Sequence, residues 1–231
     1  MIAGLHKRGS DIMKVKKVLK IIGIILLILF ILLLIHTIRN FIIIKGLQEN
    51  FNNYRSSNNY HITSVAKETE NITVTMNYYK KDNKQVVFME RKTEEENLKL
   101  TMYDNGERVD IFTENDKEKT CRLAVDTELM QVNLVNYLET DNDWQTFLGS
   151  IFARINKGKL NQKECYIVNN FVSPLFMNDS DKNEVYLEKD TGLYIKSIMG
   201  SMVTDREYEF DNVEDSIFTE PDISQYKLLE N

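Results

Sequence analysis

One run of residues limits this chain more than any other feature. Residues 21–35 comprise fourteen Ile, Leu or Phe side chains plus Gly23, and Lys20 and His36 bound the run. Each Ile, Leu or Phe at the centre of a bilayer helix favours insertion by roughly 0.3 to 0.6 kcal/mol, so the run outweighs the polar residues at its ends. Taken as residues 18–38, the segment has 21 residues. At about 1.5 Å per residue, that length matches a hydrocarbon layer of about 30 Å. A cleavable signal peptide has a shorter apolar core followed by small residues. Here His36, Thr37, Ile38, Arg39, Asn40 and Phe41 follow, and the first cysteine is Cys121. The expectation is a permanent signal anchor, with neither a peptidase site nor a nearby cysteine for lipidation.

Flanking charge sets the expected direction of insertion. Within residues 1–20, Lys7, Arg8, Lys14, Lys16, Lys17 and Lys20 against Asp11 give +5, so with −6 for the whole chain the remainder carries −11. The positive-inside rule then keeps the N-terminus in the cytoplasm and sends an acidic domain to the other side. Such a domain has no electrostatic attraction to nucleic acid, and the basic tail suits topology and anionic headgroups. The expected division is a basic cytoplasmic tail over residues 1–17, an anchor over 18–38, a juxtamembrane helix over 39–58 and one extracytoplasmic domain over 59–231. A span of that size normally makes a single domain with its own core.

Alternation dominates the domain. Leu47, Phe51 and Tyr54 first continue a helical spacing, and "RSSNN" breaks it. Ile72, Val74, Met76 and Tyr78 then share one strand face, with a turn at Asp82 and Asn83. "NLKLTMYD", a turn through Asn105-Gly106, "ERVDIFT" and "KTCRLAV" follow, and Asn-Gly is a strong hairpin signal because both residues accept positive φ. Trp144, Phe147, Leu148, Ile151, Phe152 and Ile155 fall on one stripe of an α-helix. Asp141 or Asp143 would cap that helix, and Lys157-Gly158 would end it. A weaker helical pattern over residues 129–138 precedes it. Strands resume with "KECYIVNNF", "NEVYLEKDTGLYIKSIM" with a turn at Asp190 to Gly192, and "MVTDREYEFDNV". About nine or ten strands with inserted helices define an α+β class, with helices on one face of an antiparallel sheet.

The hairpin "YLEKDTGLYIKS", then "REYEF" and the F-x-x-P of Phe218 to Pro221, resemble the outer-membrane lipoprotein carrier (LolA/LolB-like) superfamily over roughly residues 45–226. That resemblance implies a curved half-barrel wrapped around helices, a fold also used by envelope-stress sensor domains, with a cavity that takes acyl chains. It places the Trp144 stripe in the mouth of the sheet, and makes Val74, Met76, Phe88, Leu100, Trp144, Phe147 and Ile151 the candidate ligand-binding residues. Read without it, the same stripe is ordinary core. The carriers are released or lipidated, whereas this domain is expected to stay tethered, and Asn, Lys and Ile usage suggests a bacterium with an AT-rich genome.

Chemistry is sparse. His61 is the one histidine of the expected external domain, and no G-x-S-x-G, H-E-x-x-H or phosphate loop occurs, so no enzyme, catalytic residue or cofactor is expected. "NDSDKNE" from Asn178 has Glu184 where a calcium loop needs glycine, which reads as a solvated turn with no metal. Cys121 and Cys165 flank the helical insertion. They are either a disulfide, closing a loop of about 45 residues for about 4 kcal/mol, or two buried thiols. The expected function is a membrane-anchored binding module for a lipid-like or other apolar ligand. The alternative is an interaction or sensory protein with a filled core and an envelope-protein partner.

Overall fold

The computed structural model describes residues 3–125, 138, 142–169 and 183–229, with side chains from residue 16 onward except at 124, 125 and 183. It opens with a single helix, α1, spanning Ala3–Arg55. At 53 residues it is about 80 Å long. The expected anchor and juxtamembrane helix are therefore one uninterrupted element. Residues 16–35 are exposed on every side. Beyond them Thr37, Asn40, Ile44, Leu47 and Phe51 are all buried, and their spacing of three and four puts them on one face. The outer part of α1 is built into the domain, and the apolar run projects from it.

Twelve strands follow α1: β1 (Asn59–Thr69), β2 (Ile72–Lys81), β3 (Lys84–Lys92), β4 (Asn97–Asp104), β5 (Val109–Glu114) and β6 (Lys119–Val125), then, after helix α2 (Asp143–Phe152), β7 (Arg154–Leu160), β8 (Lys163–Asn169), β9 (Asn183–Glu188), β10 (Tyr194–Met199), β11 (Met202–Phe210) and the short β12 (Lys227–Leu228). They form one sheet in the order β12-β6-β5-β4-β3-β2-β1-β11-β10-β9-β8-β7. Every pairing is antiparallel except β12 with β6. The class is α+β: a long apolar N-terminal helix, then a large open curved sheet with a second helix. Expected turns appear at Asp82, Gly106 and Gly192, which all take positive φ.

Curvature follows from what α1 touches. Ile44 and Leu47 pack with Ile155, Val168, Leu187 and Tyr194 of β7 to β10, while Phe51 packs with Tyr60, Ile62, Tyr78, Val87 and Val109 of β1, β2, β3 and β5. Twelve strands laid flat would extend about 50 Å at the usual spacing of about 4.8 Å. A helix about 10 Å wide reaches both sets only if the sheet wraps around it. The element in the mouth is thus α1, and the expectation that the Trp144 helix fills that place is corrected.

α2 also differs from its sequence reading. Asn142, rather than Asp141 or Asp143, caps it by accepting a hydrogen bond from the Gln145 amide. The helix stops at Phe152, Ala153 is extended, and Ile155 is buried in β7. Helical spacing continued through Ile155 because an apolar residue happens to fall there, but pairing of β7 with β8 decides its conformation. Lys157 and Gly158 end no helix and lie inside β7. A Cβ on Gly158 would sit 2.9 Å from Ile167 Cδ1, so glycine here serves strand packing. Of the weaker helical pattern over residues 129–138, only Leu138 lies within the described residues, as a buried turn residue.

One further expectation is overturned and one open alternative is decided. Asn77 pairs with Phe88, and Met76 with Met89, which pairs with Leu100. Paired residues share a face, so Val74, Met76 and Leu100 line the concave side while Phe88 points to the other. There Phe88 joins Val86, Tyr103, Phe112 and Cys121 under Ile217, Phe218 and Tyr226 of the C-terminal segment. Cys121 and Cys165 are free, buried thiols, the second of the two alternatives left open by the sequence. β6 and β8 do not pair with each other and lie near opposite ends of the sheet order, whereas a bridge tolerates a Cα separation of no more than about 7 Å.

Candidate functional site

Two features stand out on the concave side. At the outer end of α1, a groove of about 440 Å³ is lined by Tyr54, Leu193, Ile195, Tyr208, Phe210 and Arg206, among others. Its apolar wall is fixed by ring packing, with Tyr54 4.8 Å from Phe210, and by Tyr208, whose hydroxyl donates to the Tyr194 carbonyl at 2.8 Å. Its rim is charged: Lys163 pairs with Glu188 at 2.9 Å. The Arg206 guanidinium lies 4.6 Å over the Tyr194 ring. Its Nε is buried and makes no hydrogen bond among the described residues. The groove is therefore amphipathic, with a cation at its wall.

The second feature is the junction of α1 with α2. Asn40 Nδ2 donates to the Ser150 carbonyl at 3.1 Å and the Ala153 carbonyl at 2.7 Å. His36 Nε2 lies 3.2 Å from the same Ala153 oxygen, and Arg39 reaches the Ile155 carbonyl at 3.5 Å. A helix C-terminus leaves carbonyls without partners, and the polar residues just past the apolar run supply them. At the other end of α2, Lys45 pairs with Asp143 at 2.8 Å. Between these contacts Phe41 meets Phe147 edge-on at 6.0 Å. α2 thus runs antiparallel along residues 36–45 of α1.

The candidate ligand residues divide accordingly. Met76 packs onto the cluster around Phe51, and Val74 and Leu100 share its face by register. Phe88 lies on the opposite face. Phe147 faces α1, Trp144 stacks on Phe147 at 5.8 Å, and Ile151 is half-buried. With Phe88 on the opposite face, the seven do not line one cavity. The residues missed by sequence reasoning are Thr37, Asn40 and Ile44, which extend the helical face already read at Leu47 and Phe51 back toward the apolar run. Their three-four spacing could have revealed them, but the adjacent apolar run conceals where one helical environment gives way to another.

His61 is better partnered than a bare surface histidine. It stacks on Tyr79 with ring centroids 4.0 Å apart, and its Nε2 lies 3.2 Å from both Asn77 Oδ1 and Thr63 Oγ1. Glu209 is 3.6 Å from Nδ1. The Thr63 hydroxyl donates to Asn77 Oδ1 at 3.0 Å, so its proton is directed to the amide rather than to the imidazole. Among the described residues no group of three or more His, Cys, Asp or Glu side chains could hold a metal ion. Most of the Asn178 to Glu184 loop lies outside them. Burial raises the Cys165 thiol above its ordinary range, the condition of an inert buried cysteine.

No family model and no curated protein matches the chain. Among solved structures it is similar to MucB in complex with MucA(peri), at a TM-score of 0.32 and 12% identity over 75% of this chain; the match spans 58% of that chain, somewhat over half its length. It is also similar to a DUF1329 family protein from Desulfovibrio piger, at a TM-score of 0.27 and 10% identity, over 80% of this chain and 97% of that one.

Proposed function

We propose that this chain is a single-pass, membrane-anchored extracytoplasmic binding module of LolA-like architecture that engages another protein of the cell envelope. Its N-terminus is cytoplasmic, its anchor lies within residues 18–38, and the domain beyond faces outward. The observation that carries the reading is occupancy of the concave face. Ile44, Leu47 and Phe51, each at most 2% exposed, fill the space that acyl cargo would need. One unbroken helix joins that core to the apolar run, so whatever binds the domain acts on an element continuous with the anchor. This is the sensory or interaction alternative of the sequence reading rather than its cargo-carrying form.

A photo-crosslinking residue in place of Tyr54, at the groove rim, tests the proposal in living cells. One dominant protein adduct supports it. Adducts to lipid alone instead support a second reading, favoured by the groove of about 440 Å³, in which a small apolar ligand with an anionic group meets Arg206. Absence of any specific adduct counts against both.

A further inference from the structure

α2 is built inside out for a helix on a water-soluble domain. Its small polar residues Thr146 and Ser150 are buried, while Trp144, Leu148 and Phe152 are 65%, 41% and 56% exposed. These three recur every fourth residue and form one stripe. A helix facing water would do the opposite. On α1, along the stretch that α2 packs against, Ile35, Ile38 and Ile42 are also exposed, so the exposed apolar surface of α1 extends past residue 35 to the level of α2. Over the same window, His36, Arg39 and Asn40 are turned toward backbone carbonyls of residues 150, 153 and 155. Pairing polar side chains internally is what an environment poor in water demands.

From these observations we infer that α2 enters the outer interfacial layer of the bilayer, with Trp144, Leu148 and Phe152 in contact with lipid. The inference rests on the anchor proposed above. If the hydrocarbon ends near residue 38, the ion pair between Lys45 and Asp143 stands about 10 Å farther out. The headgroup region on each side is about 5 to 8 Å thick. Ala153, level with His36 and Asn40, then sits at the hydrocarbon boundary, and Phe152 with it. Trp144 lies eight residues earlier, about 12 Å along the helix axis. With α2 inclined by about 50° to the membrane normal, within the range at which helices pack across a tilted span, the rise is about 8 Å. That keeps Trp144 at the outer edge of the headgroup layer, where tryptophan is enriched. The ion pair marks the watery side. Contact of this kind fixes the domain's height and rotation over the membrane, which a lone spanning helix leaves free.

The chain carries its own probe, because Trp144 is its one tryptophan. The full-length protein is reconstituted into phosphatidylcholine vesicles, and its emission is measured with lipids carrying a quencher at shallow or deep positions, and with aqueous iodide. Expected are loss of most emission to the shallow quencher, less to the deep one and little to iodide. In a Trp144→Phe background, Phe152→Trp should be quenched at greater depth than Trp144, and Ile28→Trp at the greatest depth. If Ile28→Trp is quenched by lipid but Trp144 is not, α2 does not touch lipid, although the anchor stands. Iodide quenching would then show water at the stripe, and protection from both quenchers would show a second copy covering it. If Ile28→Trp is also untouched by lipid quenchers, the anchor itself is wrong and the inference falls with it.

Discussion

The two halves of α1 have the same secondary structure and opposite surroundings. Residues 21–35 are apolar and exposed on all sides; residues 36–55 mix charge with hydrophobicity and bury one stripe completely. In the first half, every side chain faces the same solvent, so composition alone suits the helix to lipid. In the second, burial depends on angle, and Asn40 is buried while Ile42, two residues on, is 64% exposed. Hydrophobicity alone therefore does not predict burial in α1. Position relative to the sheet does.

The largest effect that should separate the halves comes from paired alanine substitutions. Phe51→Ala empties the centre of the concave cluster and should cost about 3 to 5 kcal/mol, read from denaturant unfolding of the full chain in detergent. Phe30→Ala should leave that transition unchanged; equal losses would mean that the domain depends on the apolar half of α1 as well. Next is Gly192→Ala. Gly192 has φ +69°, and a Cβ there would lie 2.2 Å from the Leu47 carbonyl oxygen. Strain plus displacement of α1 should cost roughly 2 to 3 kcal/mol in the same assay. A neutral result would show that the turn and helix are not in contact.

Asn40→Ala tests whether the junction depends on polar pairing. It strips a donor from the Ser150 and Ala153 carbonyls and should cost about 1 to 2 kcal/mol, with faster protease cleavage near α2; unchanged cleavage would separate α2 from α1. The smallest effect serves as a control away from α1. Burial, then the hydrogen bond to Glu114, raises the Tyr226 hydroxyl to about 12. Unfolded tyrosine ionises near 10, so the unfolded chain loses this proton first. Its contribution is complete below pH 10 and is lost as pH rises toward 12. Phenolate absorbance and unfolding midpoints across that range should show the loss, and Tyr226→Phe should reduce it; contacts of α1 with β7 to β10 should be unaffected.

Much of the sheet was legible. "KTCRLAV" coincides with β6 (Lys119–Val125), and the turns at Asp82, Gly106 and Gly192 fall where Asp, Asn and Gly allow positive φ. Local chemistry decides such features, so local sequence reveals them. Phe88 was misplaced because its strand is apolar on both faces, with Val86 and Val87 both buried, and alternation then has no polar side to mark the outside. β7 was missed because Ile155 extends a helical count that only pairing with β8 interrupts. The candidate site was the least legible part: the groove joins residues from α1, β10 and β11, far apart in the chain.

A long apolar helix, an acidic domain beyond it and a run of antiparallel strands follow from the order of residues, because each depends on composition or on periodicity within a few residues. Tertiary structure alone decided that α1 fills the concave face, that Cys121 and Cys165 lie at opposite ends of the sheet, and that α2 turns its aromatic stripe outward. Those outcomes depend on which distant surfaces meet, and a pattern along the chain carries no information about the direction in which its faces will point.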